Sequence, residues 1–489
     1  MSSAATRFGR SLCLACVVGG LVSALLASSA SAGVRVRTAA NASGLTPFQP
    51  DCNPTIPQTG LTYLPRAREV DIAVNPRNPA NQIAAWIDGD FSNILTAYTN
   101  DGGQHWHVSV PPGLTPCSGG SDPTIEGAAD PTVTFSPDGK AYLGTLEWKN
   151  GYIPPYEDYT EFLYVQSSSD GGATWSSPVQ ADSPANLIAD KDMIFADERR
   201  PGYVYAAYMN NGAGQVPLPR GEGALLFSRS TDGGRTFTTS VLQTTGSANT
   251  FPINSQLSET RDGTLVYTYQ DAARILMAMH STDAGTTWSA PVQVTPTITV
   301  GTPTVCGVPI GNHTFTNHNA VVDGQTTYVA QVDNGSSGAG PGKIVLSKSS
   351  DGGRTWTTSV VVVSPHQIIL AAIAANKRGQ LGLGYTDLDV GSATCTGTQP
   401  AIPATARVRV SNDGGSSWSD PEVIGAPAWD INSGSLAGDL GDYMGIAATT
   451  SGFAVATVQG QPLTSASPPV PITGDSSVVV GEVVSSNGQ

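Results

Sequence analysis

Beyond its first 32 residues the sequence has no long apolar run, few basic residues and few cysteines, and no stretch with sustained helical periodicity. Each lack removes a class of protein. No later segment is long and apolar enough to span a bilayer, so no membrane span is expected. Lys and Arg total 24 against 39 Asp and Glu, a formal charge of -15. Such a chain has no electrostatic reason to hold phosphate backbones, which excludes nucleic acid as a partner. The acidity also disfavours a polyanionic substrate, although a local arginine cluster can override the net field. His313 and His318 lack Cys or carboxylate partners at zinc-like spacing, so no metal site is expected. No Gly-x-Ser-x-Gly elbow and no phosphate-binding glycine loop is present. No cofactor is expected; a structural cation such as calcium stays open. With 55 Gly and 35 Pro, what is there reads as turn-rich and all-β.

Residues 1–32 read as an export signal. Arg7 and Arg10 supply the positive start, Leu12 to Leu26 the apolar core, and Ala30-Ser31-Ala32 the cleavage site before Gly33. Cys16 does not make this a lipoprotein signal, because Cys13 stands where a lipobox needs Leu. Cleavage removes two arginines and no acids, moving the charge from -15 to -17. Four cysteines remain: Cys52, Cys117, Cys306 and Cys395. An even number in a secreted, extracellular chain suggests two disulfides.

One turn recurs six times as Ser/Thr-x-Asp-x-Gly-x-Thr-Trp. Its aspartates are Asp101, Asp170, Asp232, Asp283, Asp351 and Asp413, spaced 69, 62, 51, 68 and 62 residues apart. A short carboxylate accepts backbone N–H groups of its own turn, and the glycine allows the positive φ that the turn needs. The closing Trp106, Trp175, Phe237, Trp288, Trp356 or Trp418 offers a large apolar face to neighbouring sheets. The turn is structural. It lacks the alternating oxygen ligands of a calcium loop, and His105 and His107 belong to its first copy.

This motif is the Asp box, or BNR repeat, and it resembles that of the sialidase superfamily from about Arg66 to the C-terminus. The resemblance implies a β-propeller of four-stranded antiparallel blades in which each box joins the third strand to the fourth. It is less specific for reaction, because Asp boxes also occur in other glycosidases and in binding proteins.

Two apolar runs joined by a turn recur seven times between boxes, beginning at Val70, Thr132, Met193, Ser255, Asn319, Leu370 and Tyr443. Seven hairpins with six boxes fit seven blades, or six plus a closing segment. The box spacing over Arg66 to Gln489 favours seven, with Ser477–Val484 as a third strand of the last blade. The domain plan is therefore a signal at 1–32, a lead-in at 33–65 and a propeller at 66–489. Placing the cysteines on that map pairs Cys52 with Cys117 and Cys306 with Cys395, since each pair then lies in loops of one face.

Propeller ligands usually sit over the central channel on the face opposite the boxes. Aligning the hairpins puts Glu69, Asp130, Asp192, Asn254 and Asp442 at first-strand starts, with Asn319 a further candidate. The loops after second strands add Asp88, Asp90, Glu147, Trp148, Asp271, Arg274, Asp387 and Asp389. Tyr156, Glu157, Asp158 and Tyr159 form an acidic-aromatic cluster suited to a sugar ring. Glycoside hydrolysis needs two carboxyls of separated pKa, and these residues offer them.

The superfamily resemblance implies three arginines for the sialic acid carboxylate, a Tyr nucleophile with a Glu partner, and an Asp acid. Arg66 and Arg68 lie in the first-arginine region without its Ile-Pro, and Asp88 or Asp90 matches the acid. Asn254 and Gln270 stand where the family carries Glu and Arg. Tyr443 stands for the nucleophile, and Arg220, Arg274 and Arg407 are candidates for acid binding. The set is incomplete for exo-sialidase activity.

The expectation is thus a secreted, monomeric, sialidase-like glycoside hydrolase acting on an extracellular glycan. Its expected catalytic carboxylates are Asp88, Asp130, Asp192 and Asp442 with Tyr443, and its substrate contacts Arg68, Glu69, Glu147, Trp148, Arg274 and Arg407. The alternative is a non-catalytic propeller that binds glycan or protein at the cell surface.

Overall fold

The computed structural model describes residues 33–48, 52, 66–89, 91, 93–149, 160–182, 188–210, 222–248, 252–295, 304–306, 308–309, 317–322, 324–335, 341–395, 400–433, 440–463 and 476–485. The export signal, Asp90, the 156–159 cluster, Arg220 and His313 lie outside these residues. So do the side chains of His318 and Asn319.

Apolar alternation and turn chemistry yield seven four-stranded antiparallel sheets, and the two helical elements among the described residues are single 3-10 turns. Blade 1 runs Ala67–Val74, Gln82–Asp88, Asn93–Thr99 and His107–Ser109. Blade 2 begins at Gly127–Phe135, blade 3 at Ala189–Ala196 and blade 4 at Ile253–Glu259. Blade 5 begins at Asn317–Val322, blade 6 at Gln367–Ala375 and blade 7 at Gly445–Ala448. Each of these first strands packs on the first strand of the next blade, and blade 7 returns to blade 1, so the seven close a ring around a channel. Blade 6 carries a fifth strand, Trp429–Asp430. The structure is a seven-bladed β-propeller, as the box spacing indicates.

The last blade is built from both ends of the described chain. Ser476–Ser485 is its third strand, and Val34–Asn41 from the lead-in pairs with it antiparallel as the fourth. Both expected disulfides form, Cys52–Cys117 and Cys306–Cys395.

The six boxes share one bonding scheme. In the fourth, the Ser281 hydroxyl donates to Asp283 Oδ1 and accepts the Gly285 N–H, while Asp283 accepts the Thr287 N–H and hydroxyl. The Thr287 hydroxyl and N–H hold Asp283 down at about 2, which suits an acceptor and not a proton carrier. Gly285 is required twice over. Its φ is 78°, and a Cβ there would lie 2.3 Å from Phe227 of the preceding blade. The box aromatics close the seams between sheets. Trp288 packs edge-on against Phe227 and Tyr267, and Trp175 donates its indole N–H to Thr96 of blade 1. The apolar clusters lie between adjacent sheets around the ring.

Antiparallel order fixes the faces. A chain entering the first strand from one end of the channel reaches the box, after three strands, at the other end. The starts of the first strands and the loops after the second strands therefore share the face away from the boxes.

Closure by Val34–Asn41 gives the first prediction. Net backbone hydrogen bonding is worth about 1 kcal/mol per bond, and seven register pairs join this strand to its neighbour. A variant truncated through Asn41 should melt at least ~5 °C below the intact protein. Coincident melting curves in calorimetry would show that the ring holds without this strand.

Candidate active site at the channel face

The first strands of blades 1, 2, 3, 4 and 6 each open with a β-bulge, and in each a non-glycine residue adopts left-handed backbone geometry. They are Glu69 (φ 47°), Asp130 (φ 46°), Lys191 (φ 50°), Asn254 (φ 56°) and Leu370 (φ 51°). Holding such a residue there costs about 1–3 kcal/mol, and bulges of this kind re-aim side chains. The ring of polar starts thus exists, with one substitution of membership. In blade 3 the position equivalent to Glu69 and Asp130 is Lys191, and the expected Asp192 is its neighbour. The extra residue of the bulge shifts the frame that hairpin alignment alone assumes.

Lys191 is the hub. Its Nζ lies 2.6 Å from Asp442 Oδ2, 3.5 Å from Asp130 Oδ2 and 3.6 Å from Asp190 Oδ1. Glu69 joins the group by accepting the Asp442 N–H on Oε1 at 3.1 Å. The side chains of Lys191, Asp190 and Asp442 keep 18%, 27% and 17% of their exposure, so channel water reaches all three. Asp192 differs, with both carboxylate oxygens sealed from solvent and without a hydrogen-bond partner. Burial, then the Asp130 charge, pushes its carboxyl well above the usual range. Burial and Asp130 do the same to Glu69, and burial raises Asp190. Burial would lower Lys191, but Asp130, Asp442, Asp190 and Glu69 together raise it well above an ordinary lysine.

The remaining expected residues fall into separate settings. Tyr443 donates its hydroxyl to the Pro131 carbonyl at 2.9 Å, bracing blade 7 against blade 2. Burial and the charges of Glu69 and Asp130 push its phenol well above its usual value, the opposite of an activated nucleophile. Asp88 is buried under the lead-in, accepts the Thr46 hydroxyl at 2.5 Å, and is pushed by burial to about 7. Arg407 pairs with Asp387 inside blade 6. Arg274 sits in the Asp271–Ile275 turn of blade 4. Asp389 caps a 3-10 turn by accepting the Ser392 N–H and hydroxyl. Trp148 meets Phe91 edge-on at 5.7 Å, and the Arg68 guanidinium lies over the Phe91 ring at 4.7 Å. Glu147, the preceding residue of the same strand, is buried, and burial raises its carboxyl well above the usual range. The structure therefore brings Glu69, Asp130, Asp192 and Asp442 together around Lys191 and Asp190, two residues that hairpin alignment passed over.

No family model and no curated protein matches the chain. Among solved structures, a protein of unknown function from Dyadobacter fermentans is 14% identical, over 77% of this chain and 99% of its own, with a TM-score of 0.49. A Hadza microbial sialidase is 17% identical, over 83% and 73% respectively, with a TM-score of 0.44. An α-L-arabinanase from Penicillium chrysogenum is 13% identical, over 72% and 92%, again at 0.44.

Asp88 generates a prediction about pH. Its folded pKa of about 7 exceeds the unfolded value of about 3.9. The folded chain keeps that proton where the unfolded chain has lost it. Its contribution is thus full below about pH 4 and is lost as pH rises towards 7, at about 1.4 kcal/mol per pH unit. Urea unfolding of Asp88→Asn across this window should show a shallower decline than the parent. Parallel stability-pH curves would mean that Asp88 titrates normally.

Proposed function

We propose that the protein is a glycoside hydrolase of sialidase-like architecture, exported to an oxidising compartment, that cleaves a glycan at the channel face. The observation that carries this reading is the carboxyl pair held on one ammonium. Asp442 Oδ2 and Asp190 Oδ1 both contact Lys191 Nζ, at 2.6 and 3.6 Å, so these two facing oxygens lie no more than about 6 Å apart. That bound suits the ~5–5.5 Å spacing of retaining glycosidases better than the wider inverting spacing.

The two carboxyls sit in different environments, as acid and nucleophile must. Asp190 is the general acid, because burial raises its carboxyl and holds its proton to higher pH than an ordinary aspartate would. Asp442, ion-paired at 2.6 Å, is the nucleophile. Lys191, Asp130 and Glu69 hold the pair in place from blades 3, 2 and 1. Asp192, sealed from water, supports the ring without touching substrate. The excess of carboxylates favours a neutral glycan over an acidic one. The disulfides Cys52–Cys117 and Cys306–Cys395 fit an extracellular setting.

The test is product release by the purified protein across sialosides, neutral glycosides and polysaccharides. Release from a neutral substrate is expected, and Asp442→Asn and Asp190→Asn should each lower kcat at least ~100-fold in protein that still melts cooperatively. A folded protein that binds glycans but releases nothing would make it a binding propeller. Free sialic acid among the products would overturn the substrate reading.

A further inference from the structure

Lys191 carries a full charge into an enclosed place, against the cost that burial imposes on any ammonium. Its three carboxylate contacts come from three blades: Asp130 from blade 2, Asp190 from blade 3 and Asp442 from the approach to blade 7. Glu69 of blade 1 adds its field from a fourth. The lysine reaches this point because residue 191 is the left-handed residue of the blade 3 bulge. Glu69 and Asp130 occupy the same bulge position in blades 1 and 2, so a third acid there would have left the ring with no cation at this hub.

We propose that Lys191 is the positioning residue of this site: its ammonium orients the Asp190–Asp442 pair across the channel and sets the pH at which the surrounding carboxyls ionise. This rests on the reading of those two residues as the catalytic pair. The charged and titratable groups facing the ammonium are Asp130, Asp190, Asp192, Asp442, Glu69 and, behind them, Tyr443. With the ammonium present, Asp190, Glu69 and Asp192 are each drawn downward against their burial. Without it those carboxyls face one another alone, and each holds its proton to higher pH. An opposite charge at this range is worth about 1–3 pH units. Arginine would keep the charge and lose part of the geometry, because its planar fork does not replace a compact ammonium between three oxygens.

The experiment is a carbon-13 carboxyl titration of aspartate-labelled protein, followed by NMR, for the parent, Lys191→Met and Lys191→Arg. Asp190→Asn identifies the Asp190 signal. In Lys191→Met, Asp190 should titrate about 1–3 units higher than in the parent, and Lys191→Arg should restore most of the difference. The basic limb of the kcat/KM profile should move upward by the same amount. If Lys191→Met does not fold, Lys191→Gln keeps a hydrogen-bonding amide without the charge and should give the same displacement. Unchanged Asp190 titration in a folded uncharged variant would overturn the proposal and leave Lys191 a strut between blades. The two readings fail separately. A displaced titration with no sugar release from the parent rejects the hydrolase and keeps the role of Lys191. Sugar release with an unmoved pH profile does the reverse.

Discussion

Seven sheets in a row would leave the outer faces of the first and last uncovered. Closing the ring removes both faces at once, and here closure depends on antiparallel pairing between Val34–Asn41 and Ser476–Ser485. Everything at the channel follows from it. Blade 7 packs directly on blade 1, and that contact brings Asp442 to Glu69. The Gly441 backbone lies so close to Glu69 that a Cβ on residue 441 would sit 1.9 Å from the Glu69 side chain. The site is thus assembled from blades 1, 2, 3 and 7.

The same fold concentrates charge. Repeating one bulge around a ring places equivalent residues at a common axis, and the repeats here carry Glu69, Asp130 and Lys191 at equivalent positions in neighbouring blades. Carboxyls so arranged would repel one another, and burial already penalises their charge. One lysine offsets part of that cost, while burial shifts Glu69, Asp190 and Asp192 towards their neutral forms. Packing thus raises the Glu69, Asp190 and Asp192 carboxyls, and the Lys191 ammonium draws them down again. On the opposite face, where the third strand of each blade turns towards the outermost one, the box aspartates are saturated by hydroxyl and N–H donors of their own turns.

How much of this was readable in the residues follows from the range of the interactions. The Asp boxes are local, eight residues each, so their spacing revealed the blades and their number. The cysteine pairs followed once the boxes fixed which loops share a face. The third strand of blade 7 was visible in Ser477–Val484. What hid were features that depend on a single residue of register or on contacts between distant segments. An inserted bulge residue cannot be seen in an apolar pattern, so alignment fell on Asp192, where the structure puts Lys191 at the ring and Asp190 in the channel. Tyr443 had the right position for a nucleophile, but its partner is the Pro131 carbonyl, 312 residues away. The Val34–Asn41 strand carries a visible Val-Arg-Val-Arg alternation, yet only its distant partner tells why it exists.

The central claim is that glycan chemistry occurs where Asp190 and Asp442 meet over Lys191. The most direct measurement is a crystal structure of the Asp190→Asn protein soaked with an oligosaccharide that the parent cleaves or binds. The account predicts a sugar ring in the channel mouth on the face away from the Asp boxes, its anomeric carbon beside Asp442 and its glycosidic oxygen facing residue 190. Sugar bound at the box face or along the outer blade edges, with the channel mouth empty, would contradict it.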